Sequence, residues 1–186
     1  MTSVTFVTGN DKKAQYFSEL IGLSIEHQKA EVHEIQSLEP LEICEYKAKD
    51  AYKQIKKPVI VEDVSVVINC LGRLPGPFIK WFEDELGLEG ICRLADADEE
   101  RKAVASCVYS YFDGERLIHF EGSLDGTIAQ HPRGDSAFGW NPTFIPQGTH
   151  QTLAEMDDTT FKSYYLKIKP ITKLKEFLAG LDSGKA

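Results

Sequence analysis

Apolar and polar positions along this chain change period several times, and those changes predict its elements. Val4-Thr5-Phe6-Val7 is a short β-branched and aromatic run that predicts a first strand. It stops at Thr8-Gly9-Asn10-Asp11, a turn cluster whose side chains also suit a helix cap. Ala14, Phe17, Leu20 and Ile21 then recur at helical spacing, and Gly22 supplies the stop. Leu23-Ser24-Ile25 reads as a short second strand. Cys44, Ala48, Ala51, Tyr52 and Ile55 form one stripe of a helix over Leu41 to Lys56. Pro58-Val59-Ile60-Val61 lacks polar alternation, as a strand buried on both faces does, and reads as ending in Glu62-Asp63.

Gly72 to Pro77 reads as a loop, because two prolines and two glycines fit no regular element. Ile79 to Leu86 and Leu88 to Leu94 look helical. From Ala103 the pattern turns to β: Val104 to Tyr109 and Leu117 to Phe120 flank Asp113-Gly114, a hairpin turn pair. Asp125-Gly126 suggests another turn before Thr127-Ile128-Ala129. Ile171 to Leu181 predicts a closing helix, and Asp182 to Ala186 a loose tail. The order β-α-β-α-β, then helices, hairpins and a helix, predicts an α/β fold with a mixed, twisted sheet. No repeat or linker divides the chain, so residues 1–186 read as one domain, with room for two lobes.

Composition narrows the chemistry. The chain has 186 residues, with 21 basic and 29 acidic side chains, a formal charge of −8. That argues against broad nucleic-acid binding, which relies on a basic face. A small polyanion held by a few converging lysines and a metal ion stays open. Hydrophobic residues at 42% and charged residues at 27% fit a soluble globular protein. No apolar run approaches the roughly 20 residues that cross a bilayer, and MTSVTFVTGN lacks the pattern of a secretion signal. A cytoplasmic protein with no membrane partner is expected. Cys44, Cys70, Cys92 and Cys107 lie far apart without a CxxC pair, and the five histidines show no HxxxH or HExxH spacing. Free, buried or half-buried thiols are expected, and a transition-metal site is not.

Three groups of residues suit a nucleotide. Thr8-Gly9-Asn10, with Lys12 and Lys13, can grip phosphate through helix-start N–H groups and lysine charge. By itself it reads as a surface turn capping an ordinary helix, and it lacks the GxxxxGK[ST] spacing of a P-loop. Glu62-Asp63, at the apparent end of a buried strand, offers hard oxygen ligands where open α/β sheets bind their ligands, or simply a solvated pair. Phe138-Gly139-Trp140-Asn141-Pro142 offers flat faces for a base, or core aromatics that anchor a loop. Glu34, Lys47 and Lys80 read alone as solvated side chains.

Together these residues lie in long strings that resemble the inosine triphosphate pyrophosphatase family: TFVTGNDKK, VIVEDVS, LGRLPGPFIKWF, LEGICRL, PRGDSAFGWNPTFIP and TLAEM, in that order over nearly the whole chain. The resemblance implies an elongated α/β fold with two lobes and a central cleft, commonly a homodimer. It implies Mg²⁺-dependent cleavage between the α and β phosphates of ITP, dITP or XTP, which cleanses the nucleotide pool. Residue by residue, it implies Thr8, Asn10 and Lys13 as triphosphate ligands, with Lys47 and Lys80 also facing the phosphates. Asp63 is then the central acid, taken here as general base and metal ligand, and Glu34 the other metal carboxylate. Phe138, Trp140 and Asn141 fall where the family holds the base.

Two departures concern the base. Asn141 stands where the family usually has aspartate, and a Ser-His-Arg triplet is replaced by Ser163-Tyr164-Tyr165. The tyrosines, or Lys167 and Lys169 beyond them, are the candidates to substitute. The resulting expectation is an active hydrolase with altered or relaxed base choice. The competing readings are a nucleotide-binding protein without turnover and a structural protein whose motifs serve packing alone.

Overall fold

The structure, a computed structural model, describes residues 4–135 and 138–182. The expected tail beyond Asp182 lies outside the described residues. The strands are β1 (Thr5–Val7), β2 (Glu26–Gln28), β3 (Val59–Ile68), β4 (Pro75–Gly76), β5 (Lys102–Phe112), β6 (Leu117–Ile128) and β7 (Phe144–Pro146). The helices are α1 (Asp11–Ile21), α2 (Pro40–Ile55), α3 (Ile79–Leu94), α4 (Asp158–Ile168) and α5 (Ile171–Asp182). Hydrogen-bonded neighbours run β2-β1-β3-β5-β6-β7, with β4 on β3. β1 pairs in parallel with β2 and β3, while β3–β4 and β6–β7 are antiparallel. This is the mixed sheet flanked by helices that the pattern predicts. No described helix is long and apolar enough to cross a membrane.

The chain forms two compact units, and β3, β5 and β6 run from one into the other. The first comprises Met1–Asp63, Val108–Glu121 and Pro170–Ala186. Its strand residues alternate between two apolar layers. Phe6 stacks on Phe17 of α1 at 4.0 Å between ring centroids and meets Tyr109 edge-on at 6.3 Å. Such pairs add about 0.5–1.5 kcal/mol beyond area burial. Phe177 of α5 meets Tyr111 at 4.9 Å. Residues of the opposite parity, Val7, Val59, Val61 and Val108, pack with Cys44, Ala48 and Ala51 of α2. α1 therefore covers one face of β1 and β3, and α2 the other. Asn10 caps α1 and Gly22 ends it at φ 59°, while Pro40 opens α2.

The second unit comprises Val64–Cys107 and Gly122–Lys169. α3 breaks at Gly87 (φ 65°, ψ 177°), where the pattern divides it. Arg101 (φ 51°) spends its guanidinium on the carbonyls of Cys92, Ile128 and Ala129, which ties the end of α3 to the end of β6.

Several expectations are corrected. The second strand lies at Glu26–Gln28 and not at Leu23–Ile25; it is an exposed edge without apolar periodicity. β3 continues through Glu62 and Asp63 to Ile68, so the acid pair sits mid-strand, buried, and not at a strand end. There is no turn at Asp125-Gly126: β6 runs straight through it. A Cβ on Gly126 would meet the Ile145 carbonyl and stand 2.6 Å from the Phe144 ring, so glycine serves close approach there. Pro75-Gly76, inside the expected loop, pairs with β3. α4 appears where no helix was expected.

All four cysteines are free, but Cys70 is exposed rather than buried. Burial, followed by the Asp63 charge, pushes the Cys44 thiol up to about 12; burial, followed by Glu89, pushes Cys92 up to about 11. An aromatic disulfide reagent at pH 8 is expected to titrate Cys70 alone in the native protein and the remaining three thiols only in denaturant. A second rapid equivalent under native conditions contradicts this burial pattern.

Candidate active site

The site begins where β1 runs out. Thr8 Oγ1 accepts from the Asn10 backbone N–H at 3.2 Å, and Asn10 Oδ1 accepts from the Lys13 N–H at 3.1 Å. The start of α1 carries the partial positive charge of a helix N-terminus. His27 Nε2 lies 3.0 Å from the Thr8 carbonyl and steadies the turn.

β1 and β3 are in register at Thr5 with Val59 and Phe6 with Ile60, so Glu62 is the first β3 residue beyond Val7, the last of β1. Thr5 N–H donates to the Pro58 carbonyl at 2.9 Å. Every second carbonyl of a parallel strand points to the same neighbour, so that of Glu62 points to the edge β1 has left. Lys47 Nζ occupies that place, donating to the Glu62 carbonyl at 2.9 Å. The same ammonium lies 2.8 Å from Glu34 Oε1 and 3.7 Å from Asp63 Oδ1. Lys13 Nζ lies 3.1 Å from Glu62 Oε1. Glu34 reaches Lys47 because its loop is strapped to α2: Asp50 Oδ2 accepts from the His33 N–H at 3.0 Å, and Gln54 Nε2 donates to the Glu31 carbonyl at 2.9 Å.

Three acids and two lysines thus form one network in the first unit. The Glu62 and Asp63 side chains are 3% and 9% exposed, while Glu34 is 57% exposed and faces solvent. Burial pushes the Asp63 carboxyl up to about 6; Lys47 and Lys13 draw it down, and Glu34 and Glu62 add to the rise. For Lys47, burial opposes the charge, but Asp63 and Glu34 outweigh it and its pKa is raised. The site therefore holds a lysine kept charged by two acids beside an acid whose pKa burial raises to about 6. Cys44, with its thiol pushed up to about 12, is no nucleophile here.

Asp63 Oδ2 is buried and has no hydrogen-bond partner. It and the Glu34 carboxylate are hard oxygen donors that already share one cation, Lys47. Among the described residues no group of three or more His, Cys, Asp or Glu forms a ready-made metal cage. One or two carboxylates, with water and phosphate completing the shell, is what Mg²⁺ takes, so these residues fit that ion.

The other implied residues belong to the second unit. Lys80 on α3 is exposed and ion-paired with Asp84, and that hydrogen bond raises its pKa. Trp140 is buried edge-on against Phe144, 5.7 Å between centroids. Phe138 is half-buried, and its carbonyl accepts from the Asn141 N–H at 3.3 Å. Asn141 is only 2% exposed, and its Nδ2 has no hydrogen-bond partner. On α4, Ser163 Oγ donates to the Thr160 carbonyl at 2.8 Å, Tyr164 lies under Lys167 Nζ, and Tyr165 stacks on Phe161. Lys169 is buried, with Nζ 5.6 Å from the Tyr165 ring centroid. Glu62, read from the sequence as half of a ligand pair with Asp63, meets Lys13 instead. The adjacent pair Glu62-Asp63 was visible, but the strand's continuation past it was not.

The chain matches the model of the Ham1 family over residues 4–177. It is 39% identical over 176 residues to inosine triphosphate pyrophosphatase 2 of Trypanosoma cruzi, covering 92% of this chain and 90% of that protein. It is also 39% identical over 183 residues to the inosine triphosphate pyrophosphatase of Yarrowia lipolytica, covering 95% and 96% respectively. Its fold matches a HAM1 protein from Coxiella burnetii with a TM-score of 0.83 at 24% identity, over 96% of this chain and 99% of the other. The Staphylococcus aureus Ham1 protein matches at 0.79 and 22% identity, over 96% and 99%. A family match over most of the chain, with relatives alike along almost their whole length, makes this protein a member of the Ham1 family.

Proposed function

We propose that this protein is a nucleoside triphosphate pyrophosphohydrolase of the nucleotide pool, acting on non-standard purine nucleotides such as ITP, dITP and XTP. The observation that carries the reading is the buried Asp63 carboxyl, 3.7 Å from the Lys47 ammonium and next in the strand to the Glu62 that holds Lys13, at the open end of β1. The names of the similar proteins from Trypanosoma cruzi and Yarrowia lipolytica support the substrate.

In this reading the triphosphate lies against Thr8, Asn10 and the start of α1, with Lys13 and Lys47 answering its charge. A water oxygen attacks the α-phosphorus while the bond to the departing pyrophosphate breaks, and Asp63 takes the water's proton. Glu34 and Asp63 would hold Mg²⁺, which supplies charge stabilisation for the phosphoryl oxygens. Lys80 as a further phosphate ligand, Phe138, Trp140 and Asn141 as base ligands, and a homodimer rest on the resemblance; a cytoplasmic location rests on the sequence pattern alone. Support for a buried hydrogen-bond donor toward the base comes from the unpaired Nδ2 of Asn141.

The relaxed-selectivity reading draws on α4. The hydroxyl of Ser163 is committed to its own helix, and no histidine or arginine follows it. With fewer donors for a purine keto group, less energy separates inosine from adenosine.

Three outcomes follow. Asp63→Asn is expected to lower pyrophosphate release from ITP by at least about a thousandfold with the thermal transition retained; near-normal release refutes the base assignment. The pH profile of kcat/KM is expected to show an acid limb with an apparent pKa near or below about 6, activity falling as Asp63 protonates, and the limb should vanish in the residual activity of Asp63→Asn. Across a Mg²⁺-containing nucleotide panel, kcat/KM for ITP should exceed that for ATP by less than roughly 200-fold, the range of pockets poor in specific hydrogen bonds. A ratio of about 10⁴ or more means full keto recognition survives.

A further inference from the structure

We propose that Glu62 is a positioning residue for the reaction, and that its carboxylate sets the Lys13 ammonium at the polyphosphate. The inference rests on the pyrophosphohydrolase reading above, and it assigns work to a residue outside the set of ligands and acids named there.

Lys13 is pinned at both ends. Its backbone N–H donates to the cap Asn10 at 3.1 Å, and its ammonium lies 3.1 Å from Glu62 Oε1, an ion pair rather than a directed hydrogen bond. The lysine side chain is partly exposed at 28%, long and rich in rotamers, whereas the Glu62 side chain is 3% exposed and mounted mid-strand in β3. The rigid partner holds the mobile one. Strand parity sends Glu62 to the face covered by α1 and Asp63 to the face covered by α2, so each acid meets the lysine of its own helix. The backbone carbonyl of Glu62 holds Lys47 at 2.9 Å. A single residue therefore orients both lysines, Lys13 through its side chain and Lys47 through its main chain. Fold stability gives little reason for a carboxylate at this position, since a buried ion pair is commonly no better than an apolar pair of similar volume.

A holding role predicts a split between turnover and affinity. Glu62 competes with phosphate for Lys13, so removing its charge should not weaken polyphosphate binding. Turnover should suffer, because a displacement of about 1 Å at a charge-stabilising group costs up to about 100-fold in rate. Glu62→Gln, nearly isosteric, is expected to lower kcat for pyrophosphate release by roughly 10- to 100-fold, while inorganic tripolyphosphate with Mg²⁺ binds as tightly as to the wild type or more tightly. Glu62→Asp keeps the charge but withdraws it by one methylene, and should lose kcat as well. In a Lys13→Ala background neither change should lower kcat further. Peptide-resolved acylation of the ligand-free protein tests the pair without turnover: Lys13 should label several-fold faster in Glu62→Gln, with Lys12 unchanged as the internal reference.

A kcat within twofold of wild type, losses that multiply with Lys13→Ala, or tripolyphosphate affinity that falls in step with kcat would each overturn the proposal. Should the wild type release no pyrophosphate from any triphosphate, the pyrophosphohydrolase reading fails. Labelling then decides the anchor alone: faster Lys13 acylation keeps it, and unchanged acylation ends it. If Glu62→Gln does not fold, Glu62→Asp carries the same measurements.

Discussion

Two adjacent acidic residues, buried on opposite faces in the middle of one strand, are the constraint around which the first unit is arranged. An unpaired buried charge is costly, and breaking a buried pair typically costs about 3–5 kcal/mol. Glu62 and Asp63 are tolerated because α1 delivers Lys13 to one and α2 delivers Lys47 to the other. The apolar packing that seats the helices, Phe17 on Phe6 and the Cys44-Ala48-Ala51 stripe on Val59 and Val61, therefore sets the electrostatics as well. A helix displaced by an ångström would leave an acid uncompensated, so the seating of the helices and the charge network are coupled.

The balance within that network is uneven, and the unevenness matters. Lys47 is kept charged by two acids, while Asp63 is pushed up to about 6 because burial outweighs its lysines. At about 1.4 kcal/mol per pKa unit, this displacement costs the ionised folded state roughly 3 kcal/mol. The sign is that of a raised acid: the folded state binds the proton more tightly, so the contribution is favourable at low pH and is lost as pH rises through 6. A group retained at that cost, with one oxygen unpartnered, is poised for proton transfer or for a cation rather than for stability.

Much of the frame is legible in the sequence because local signals agree there. Asn10 and Gly22 bracket α1, a small-residue stripe marks the buried face of α2, and Gly87 divides α3 where the apolar spacing does. The misses share a cause, in that tertiary context overrides the local pattern. Glu62-Asp63 looks like a strand end because charge in a central strand is unfavourable until its partners arrive from elsewhere. Gly126 looks like a turn because its close neighbours, Phe144 and Ile145, come from β7. β2 has no apolar residue to reveal it, and the Thr, Phe and Tyr of α4 hide a helix that Asp157 caps. In the site, the carboxylates and lysines are visible one by one, but their convergence depends on a loop strapped to α2 by Asp50 and on where β1 stops.

That stopping point explains why the network can be assembled at all. Had β1 continued for two more residues, its backbone N–H groups would have taken the Glu62 carbonyl, and Lys47 would have no reason to enter the edge. Because β1 turns away at Thr8, one open carbonyl, one helix start and two oppositely directed carboxylates occur within a few residues of one another. A slip of a single residue between β3 and β1 would exchange the faces of Glu62 and Asp63, setting each acid against the wrong helix. The register is held by Val59, Ile60 and Val61, all fully buried, so the least polar stretch of the strand determines where its most polar pair points.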